Sequence, residues 1–377
     1  MYTPRHLGVR HGPAPPLHLA PATMTRGPVG RRGAVALDQA RRPDAGAILW
    51  ALLALGLALR AVVAGLVMPL SGFGIDIGDF AAWAQRLASV GPGGFYESGY
   101  FSDYPPGYLY VLWLLGGIGK ALTPLVGLDI TPGLVKIPGI LADAGVAWMV
   151  FLICRRWGGQ LLARAGRARI GVDGESLGLV AAAAYLFNPG VFFVSTVWGQ
   201  VDSVGTLLAL ATIYLLARGR TEAAAVGATL ALLVKFQLGF LVAVVAIVGI
   251  RRHLLGRSSD PAHDGRREPA RVLWSLGAGV ATLLLLVPFG MTLYWPLAGG
   301  DPTGLLGVLP QADPDRSLIG KFVEAASTYT GLSVNAFNLW RLPFTGPGSG
   351  PLPGLGDTLT WGEDRTVLFS LGALSVT

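Results

Sequence analysis

Apolar residues in this chain run in blocks long enough to cross a bilayer, and arginines fill the gaps between the blocks. That pattern constrains the fold more than any motif does. The first block covers 46–70, roughly 25 residues, and a hydrocarbon core needs about 20. Hydrophobic residues make up 52% of the 377 and charged residues 14%, where a soluble domain carries roughly 25%. With a mean hydropathy of +0.54, a soluble globular protein is excluded, and so is disorder through the bulk of the chain. The net charge of +7 would suit a nucleic-acid partner, but it sits in short segments between apolar blocks, the pattern of the positive-inside rule. No nucleic-acid partner is expected. The single cysteine, Cys154, excludes an intrachain disulfide and a cysteine-based zinc site.

The expected fold is all-α, a polytopic helical membrane protein with about eight or nine membrane segments. Residues 1–45 hold seven arginines against Asp38 and Asp44 and no apolar run of signal-peptide length, so they read as a disordered basic cytoplasmic tail. Met24 is an alternative start. The tail places the N-terminus of span 46–70 in the cytoplasm, so 71–106 emerges outside. Within it, 79–90 reads as an amphipathic helix along the interface, with Phe80, Trp83, Ala84 and Leu87 on one face. Arg155, Arg156, Arg164, Arg167 and Arg169 put 155–170 back inside, so 107–154 must cross an odd number of times. That region is too short for three spans and too long for one, and Pro124, Pro132 and Pro138 interrupt it. Either it holds broken or re-entrant half-helices, or one loop violates the charge rule. Further on, 177–197, 203–217, 222–236, 238–250 and 272–290 alternate in direction, with 251–271 a charged cytoplasmic loop. Residues 291–361 form a second large outside segment, rich in Gly and Pro. A last apolar run, 366–377, stops after about 12 residues, too few to cross, so the chain is expected to break off within a span.

The outside ends of these spans collect the polar residues. Asp76 and Asp79 follow the first span, and Asp103 precedes Tyr104-Pro105-Pro106-Gly107. Trp198, Gln200 and Asp202 stand in WGQVDS, Lys235 and Gln237 in KFQ, and Asn335, Asn338 and Trp340 in LSVNAFNLW. Ionisable groups at membrane depth are costly and are functional candidates by default. A carboxylate there can take a proton from an acceptor hydroxyl. A lysine can neutralise a phosphate as a point charge. Aromatic faces suit the apolar faces of sugars, and Asn and Gln make directional bonds to hydroxyls.

The run IDIGDFAAWAQRLASVGPGGFYESGYFSDYPPGYLYVLW resembles the first extracytoplasmic loop of GT-C membrane glycosyltransferases. The nearest resemblance is to the bacterial mannosyltransferases related to the GPI-anchor mannosyltransferases. NP with WGQVDS, the Lys-x-Gln of 235–237 and SVNAFNLW belong to the same likeness, which covers roughly 46–377. It implies a multi-pass protein of the cell membrane, with 46–377 as its glycosyltransferase domain. It implies a polyprenyl-phosphate-linked sugar donor, a mannose donor by the nearest likeness, and a glycan or glycolipid acceptor. Transfer would invert the anomeric centre on the extracytoplasmic face, with a catalytic aspartate just after the first span. That role falls on Asp76, with Asp79 second. Asp103, Tyr104, Trp198, Gln200, Asp202, Lys235, Gln237, Asn335, Asn338 and Trp340 would bind donor or acceptor. Asp76 and Asp103 are hard oxygen ligands, so a divalent metal is conceivable there, and no cofactor is assigned. Members of that family carry further spans past the point where this chain stops.

Blander roles compete at each position. Asp76 would equally cap a helix starting near Gly78, Asp202 the returning helix, and Asp103 shape a turn. Lys235 is long enough to snorkel and Arg60 to snorkel or pair internally, Trp83, Trp198 and Trp340 fit an interfacial belt, and Lys136 and Asp143 fit structural partners on other helices. A secondary transporter or lipid flippase, with intramembrane Asp and Lys and Gly/Pro-broken helices, is the alternative function. A catalytically dead scaffold is a third. A transporter would place its polar residues near the midplane, often in repeated halves; here they cluster at one face and no repeat is visible.

Overall fold

The computed structural model describes residues 44–70, 72–97, 99–164, 172–257, 267–286, 318 and 320–322. The chain divides into two units, Met1–Asp44 and Ala45–Thr377. The tail 1–43, most of 291–361 and the run 366–377 lie outside the described residues.

The described chain is helical. Helix α1, Ala45–Val62, is apolar all round, and Leu49, Leu53, Gly56 and Arg60 make the one stripe it buries. That i, i+4, i+7, i+11 spacing is one helix face. A π-helical turn, Val63–Val67, ends it. Helix α2 is Gly74–Val90, α3 is Pro106–Val126, and α4 is Ile137–Arg164. Helix α5, Gly174–Leu186, bends by 49° into a second arm, Pro189–Trp198, which also finishes in a π-helical turn. Then come α6, Asp202–Ala217, α7, Thr221–Val234, α8, Phe240–Gly249, and α9, Pro269–Leu286. Five of these segments are long and apolar enough to cross a membrane, six if the bent pair is one span, and α6 and α7 are shorter apolar helices.

Small residues let the spans approach closely, the usual device when lipid is as apolar as the helix partner. Gly158 of α4 faces Gly174 and Leu177 of α5, and Gly227 of α7 faces Thr212 of α6. The arginine-bearing ends meet in polar locks. Arg271 grips Glu222 through two bonds of 2.6 and 2.7 Å, and His253 Nε2 lies 2.9 Å from Thr221 Oγ1. These tie α7, the tail of α8 and α9 together.

The structure divides 107–154 between two helices, and only one of them runs the length of the bundle. Helix α3 passes by length and composition, yet its contacts hold it at one end of the bundle. Its first turns lie against the end of α7, where a Cβ on Gly107 would sit 2.5 Å from Leu233 O, and Tyr110 donates to Leu286 O at the end of α9 (3.0 Å). Its later turns lie on the same end, with Gly119 against Thr131 just before α4. Helix α4 then runs along the bundle to the arginines. Pro132 and Pro138 do not break helices but stand in the first turns of Thr131–Leu134 and α4, where a missing N–H costs nothing. Pro124 falls in the last turn of α3.

Helix α2 begins at Gly74, earlier than the pattern indicated, and its apolar face is the expected one. Phe80, Trp83, Ala84 and Leu87 are all buried, against α3. The fit is tight: a Cβ on Gly116 of α3 would lie 1.9 Å from the Ala84 carbonyl oxygen. These two helices lie over the end of the bundle opposite the arginines, and Leu318 joins the same core.

Candidate functional site

Three chain breaks at this end hold the polar side chains. After the π turn, Phe73 N–H donates to Trp198 O (3.1 Å), docking the start of α2 on the end of the second arm. Between the second arm and α6, Gly199 turns the chain with φ +89°, a conformation that favours glycine. A Cβ there would meet Ile77 Cδ1 at 2.2 Å, so any other residue would also have to displace the tip of that side chain. At the end of α7, Lys235 leaves the helix in an extended conformation (φ −153°) and presents its side chain sideways.

Asp76 is the third residue of α2 and caps nothing: the N-cap is Phe73, without a side-chain bond. Its Oδ2 instead accepts two N–H groups from the glycine turn, Trp198 Nε1 and Gln200 Nε2, both at 2.5 Å. No other bond to Asp76 occurs among the described residues, which leaves Oδ1 available. Asp202 likewise is no cap. The N-cap of α6 is Val201, and Asp202 pairs with Lys235. Lys235 is therefore ion-paired rather than snorkelling. The pair is partly exposed, and such pairs contribute only about 0–1 kcal/mol, so its value is positional. Trp83 is no interfacial anchor either. It is buried and donates Nε1–H to Phe101 O (3.1 Å).

These groups surround one cavity of about 530 Å³. Asp76, Asp79, Asp103, Gln200, Lys235 and Gln237 supply its polar wall; Phe80, Trp83, Tyr104, Phe236 and Phe322 supply aromatic faces. Phe80, Trp83 and Tyr104 pack edge-on or tilted, with centroids 5.4–5.7 Å apart, so the aromatic wall is rigid. Asp79 makes no hydrogen bond or ion pair among the described residues. Burial, then the carboxylates of Asp103 and Asp76, push its carboxyl above the usual carboxylate range. The Tyr104 hydroxyl is pushed well up, chiefly by burial, with Tyr108 and Asp103 adding to it. Gln200 Oε1 is buried and without a hydrogen-bond partner among the described residues.

The structure thus brings together Asp76, Asp79, Asp103, Tyr104, Gln200, Lys235 and Gln237, with Trp198 and Asp202 one contact behind. Asn335, Asn338 and Trp340 lie outside the described residues. Phe322 and the buried Lys321 beside it gave no signal in sequence, since no motif surrounds them. Among the described residues no three His, Cys, Asp or Glu side chains are grouped to hold a metal ion, so Asp76 and Asp103 do not form a metal site with a third ligand. A scan of protein-family models finds none that matches this chain, and a search of curated proteins finds no match.

Proposed function

We propose that this protein is a membrane glycosyltransferase that moves a sugar, by resemblance mannose, from a polyprenyl-phosphate donor to a glycan or glycolipid hydroxyl. The observation that supports this most is the grip on Asp76. One carboxylate oxygen is fixed by two N–H donors while the other is left for an incoming hydroxyl at the edge of a cavity walled by aromatic rings. At about 530 Å³ that cavity lies within the usual range for small-molecule sites, roughly 300–1,000 Å³.

In the proposed reaction Asp76 Oδ1 takes the acceptor hydroxyl proton. The oxygen attacks the anomeric carbon from the face opposite the phosphate, the bond from that carbon to the phosphate oxygen breaks, and the configuration inverts. Lys235, held by Asp202, neutralises the charge gathering on the departing phosphate. Phe80, Trp83 and Tyr104 pack against the sugar ring, and Gln237 and Asp103 orient hydroxyls. Asp76 is preferred to Asp79 as the base because no partner among the described residues fixes the latter. The arginine-rich ends of the spans face the cytoplasm by the positive-inside rule, which puts this cavity on the extracytoplasmic side of the cell membrane.

The test is transfer of radiolabelled sugar from defined polyprenyl-phosphate donors to membrane extracts by the purified protein. Donor-dependent labelling of a glycan or glycolipid is the expected result. Absence of transfer from every polyprenyl-phosphate sugar, together with uptake or flipping of a lipid by reconstituted protein, would favour the transporter reading.

A further inference from the structure

A second polar cluster lies deeper in the bundle and takes no part in the reaction just described. Asp143 of α4 and Arg60 of α1 are both fully buried and joined by a 2.9 Å bond from Nε to Oδ2. Arg60 also donates to Leu186 O (2.9 Å) and Gly56 O (3.3 Å), and its guanidinium lies 5.0 Å from the Phe192 ring centroid. Three hydroxyls complete the shell of Asp143. Ser195 Oγ donates to Oδ2 (2.6 Å), Ser203 Oγ to Oδ1, and Tyr185 OH to Oδ1 (3.3 Å).

The positions of the two serines matter. Ser195 lies three residues before Trp198, and Ser203 three residues after Gln200. One carboxylate therefore holds both ends of the segment whose middle grips Asp76. The segment needs such a tie, because it leaves a π-helical turn, bends at Gly199 and re-enters a helix only at Asp202. π-Helical turns are rare and recur at functional sites.

We propose that Asp143 is a positioning residue for the site: by tying Ser195 and Ser203, it sets where Trp198 and Gln200 hold the Asp76 carboxylate. The role of the tie in catalysis rests on the transferase reading; the tie itself does not. Loosening it would displace Asp76 by an ångström or so, and misplacement on that scale costs about 10²-fold in rate.

Replacing Asp143 outright would strand Arg60 and threaten folding. The informative variant is Ser195→Ala with Ser203→Ala, which keeps the Arg60–Asp143 pair and removes only the ties. The full-length protein, labelled with 5-fluorotryptophan, gives a ¹⁹F resonance for Trp198 that is identified by its loss in Trp198→Phe. In the double alanine variant that resonance is expected to shift or split while those of Trp148 and Trp157 stay in place. In the transfer assay kcat is expected to fall about 10²-fold with the KM for donor little changed. Ser195→Thr, which restores a hydroxyl, should recover most of the rate when paired with native Ser203. An unmoved Trp198 resonance overturns the proposal, and so does a variant that transfers sugar at the native rate. A shifted resonance in a protein that transfers no sugar even in its native form would uphold the tie and remove the transferase reading instead.

Discussion

The crossing of α2 and α3 offers a quantitative test that adjacent glycines make nearly self-controlled. A Cβ on Gly116 would stand 1.9 Å from Ala84 O, and real Cβ atoms essentially never come within 3.0 Å, so the backbones would have to part by about 1.1 Å. The blocking atom belongs to a helix backbone and cannot rotate away. Overpacking of this kind costs about 1–3 kcal/mol, and the upper end applies here. At about 2.1 cal/mol/K per residue, a chain of 377 residues shifts by about 1.3 °C per kcal/mol, so the thermal midpoint of Gly116→Ala should fall by roughly 4 °C. A Cβ on Gly117 would meet nothing within 4 Å, so Gly117→Ala should stay within about 1 kcal/mol of the native protein. Function should follow the same split. Ala84 lies eight residues below Asp76 on α2, about 12 Å along the helix, so a displacement of α2 reaches the carboxylate. Thermal unfolding in detergent, followed by circular dichroism, and sugar transfer read the two effects. Equal stability of the two alanine variants would refute the close crossing, and with it the placement of α2 over the bundle.

Three further outcomes follow from the geometry. Arg60→Met leaves Asp143 buried without its charge partner and should cost about 3–5 kcal/mol in unfolding experiments, a loss that adding Asp143→Asn should partly restore; a loss under about 1 kcal/mol would contradict the pair. The Asp79 carboxyl binds its proton more tightly in the folded protein than in the unfolded chain, so folded protein carries more protons between the ordinary carboxylate value and the raised one, and stability must fall as pH rises through that window. Asp79→Asn should therefore flatten the pH dependence of the thermal midpoint above the ordinary value and raise the midpoint at neutral pH; an unchanged pH profile would count against the carboxylate cluster. Lys235→Ala should raise the apparent KM for a polyprenyl-phosphate donor several-fold, and an unaltered donor dependence would leave Lys235 as a partner of Asp202 alone.

Much of this arrangement was legible in the sequence, and what was not has physical reasons. Hydropathy located α1, the bent α5, α6, α7, α8 and α9, because burial in lipid demands long apolar runs whatever the tertiary contacts, while the division of 107–154 into α3 and α4 stayed open. The apolar face of α2 was equally plain from the spacing of Phe80, Trp83, Ala84 and Leu87. Arginine placement sorted the helix ends and so predicted which polar residues would share an end. It could not say that α3 stays at that end, since its composition is that of a span and only contacts with Leu233, Leu286 and Thr131 distinguish it. Pairings across the fold were also hidden. Trp198 and Gln200 stand 122 and 124 residues from Asp76, and Arg60 stands 83 from Asp143. No periodic pattern encodes such distances. The capping role weighed for Asp76 fails because the helix starts two residues before it, a boundary that no capping residue marks.

The central claim is that Asp76 is the base at the edge of the aromatic cavity. Asp76→Asn tests it most directly, because the amide oxygen can still accept from Trp198 and Gln200 while the open position loses its basicity. General-base catalysis contributes about 10²–10⁴-fold, or roughly 3–5 kcal/mol. Sugar transfer by Asp76→Asn, measured in protein whose thermal midpoint matches the native one, should fall by that factor. Transfer at the native rate in the same protein would contradict the account.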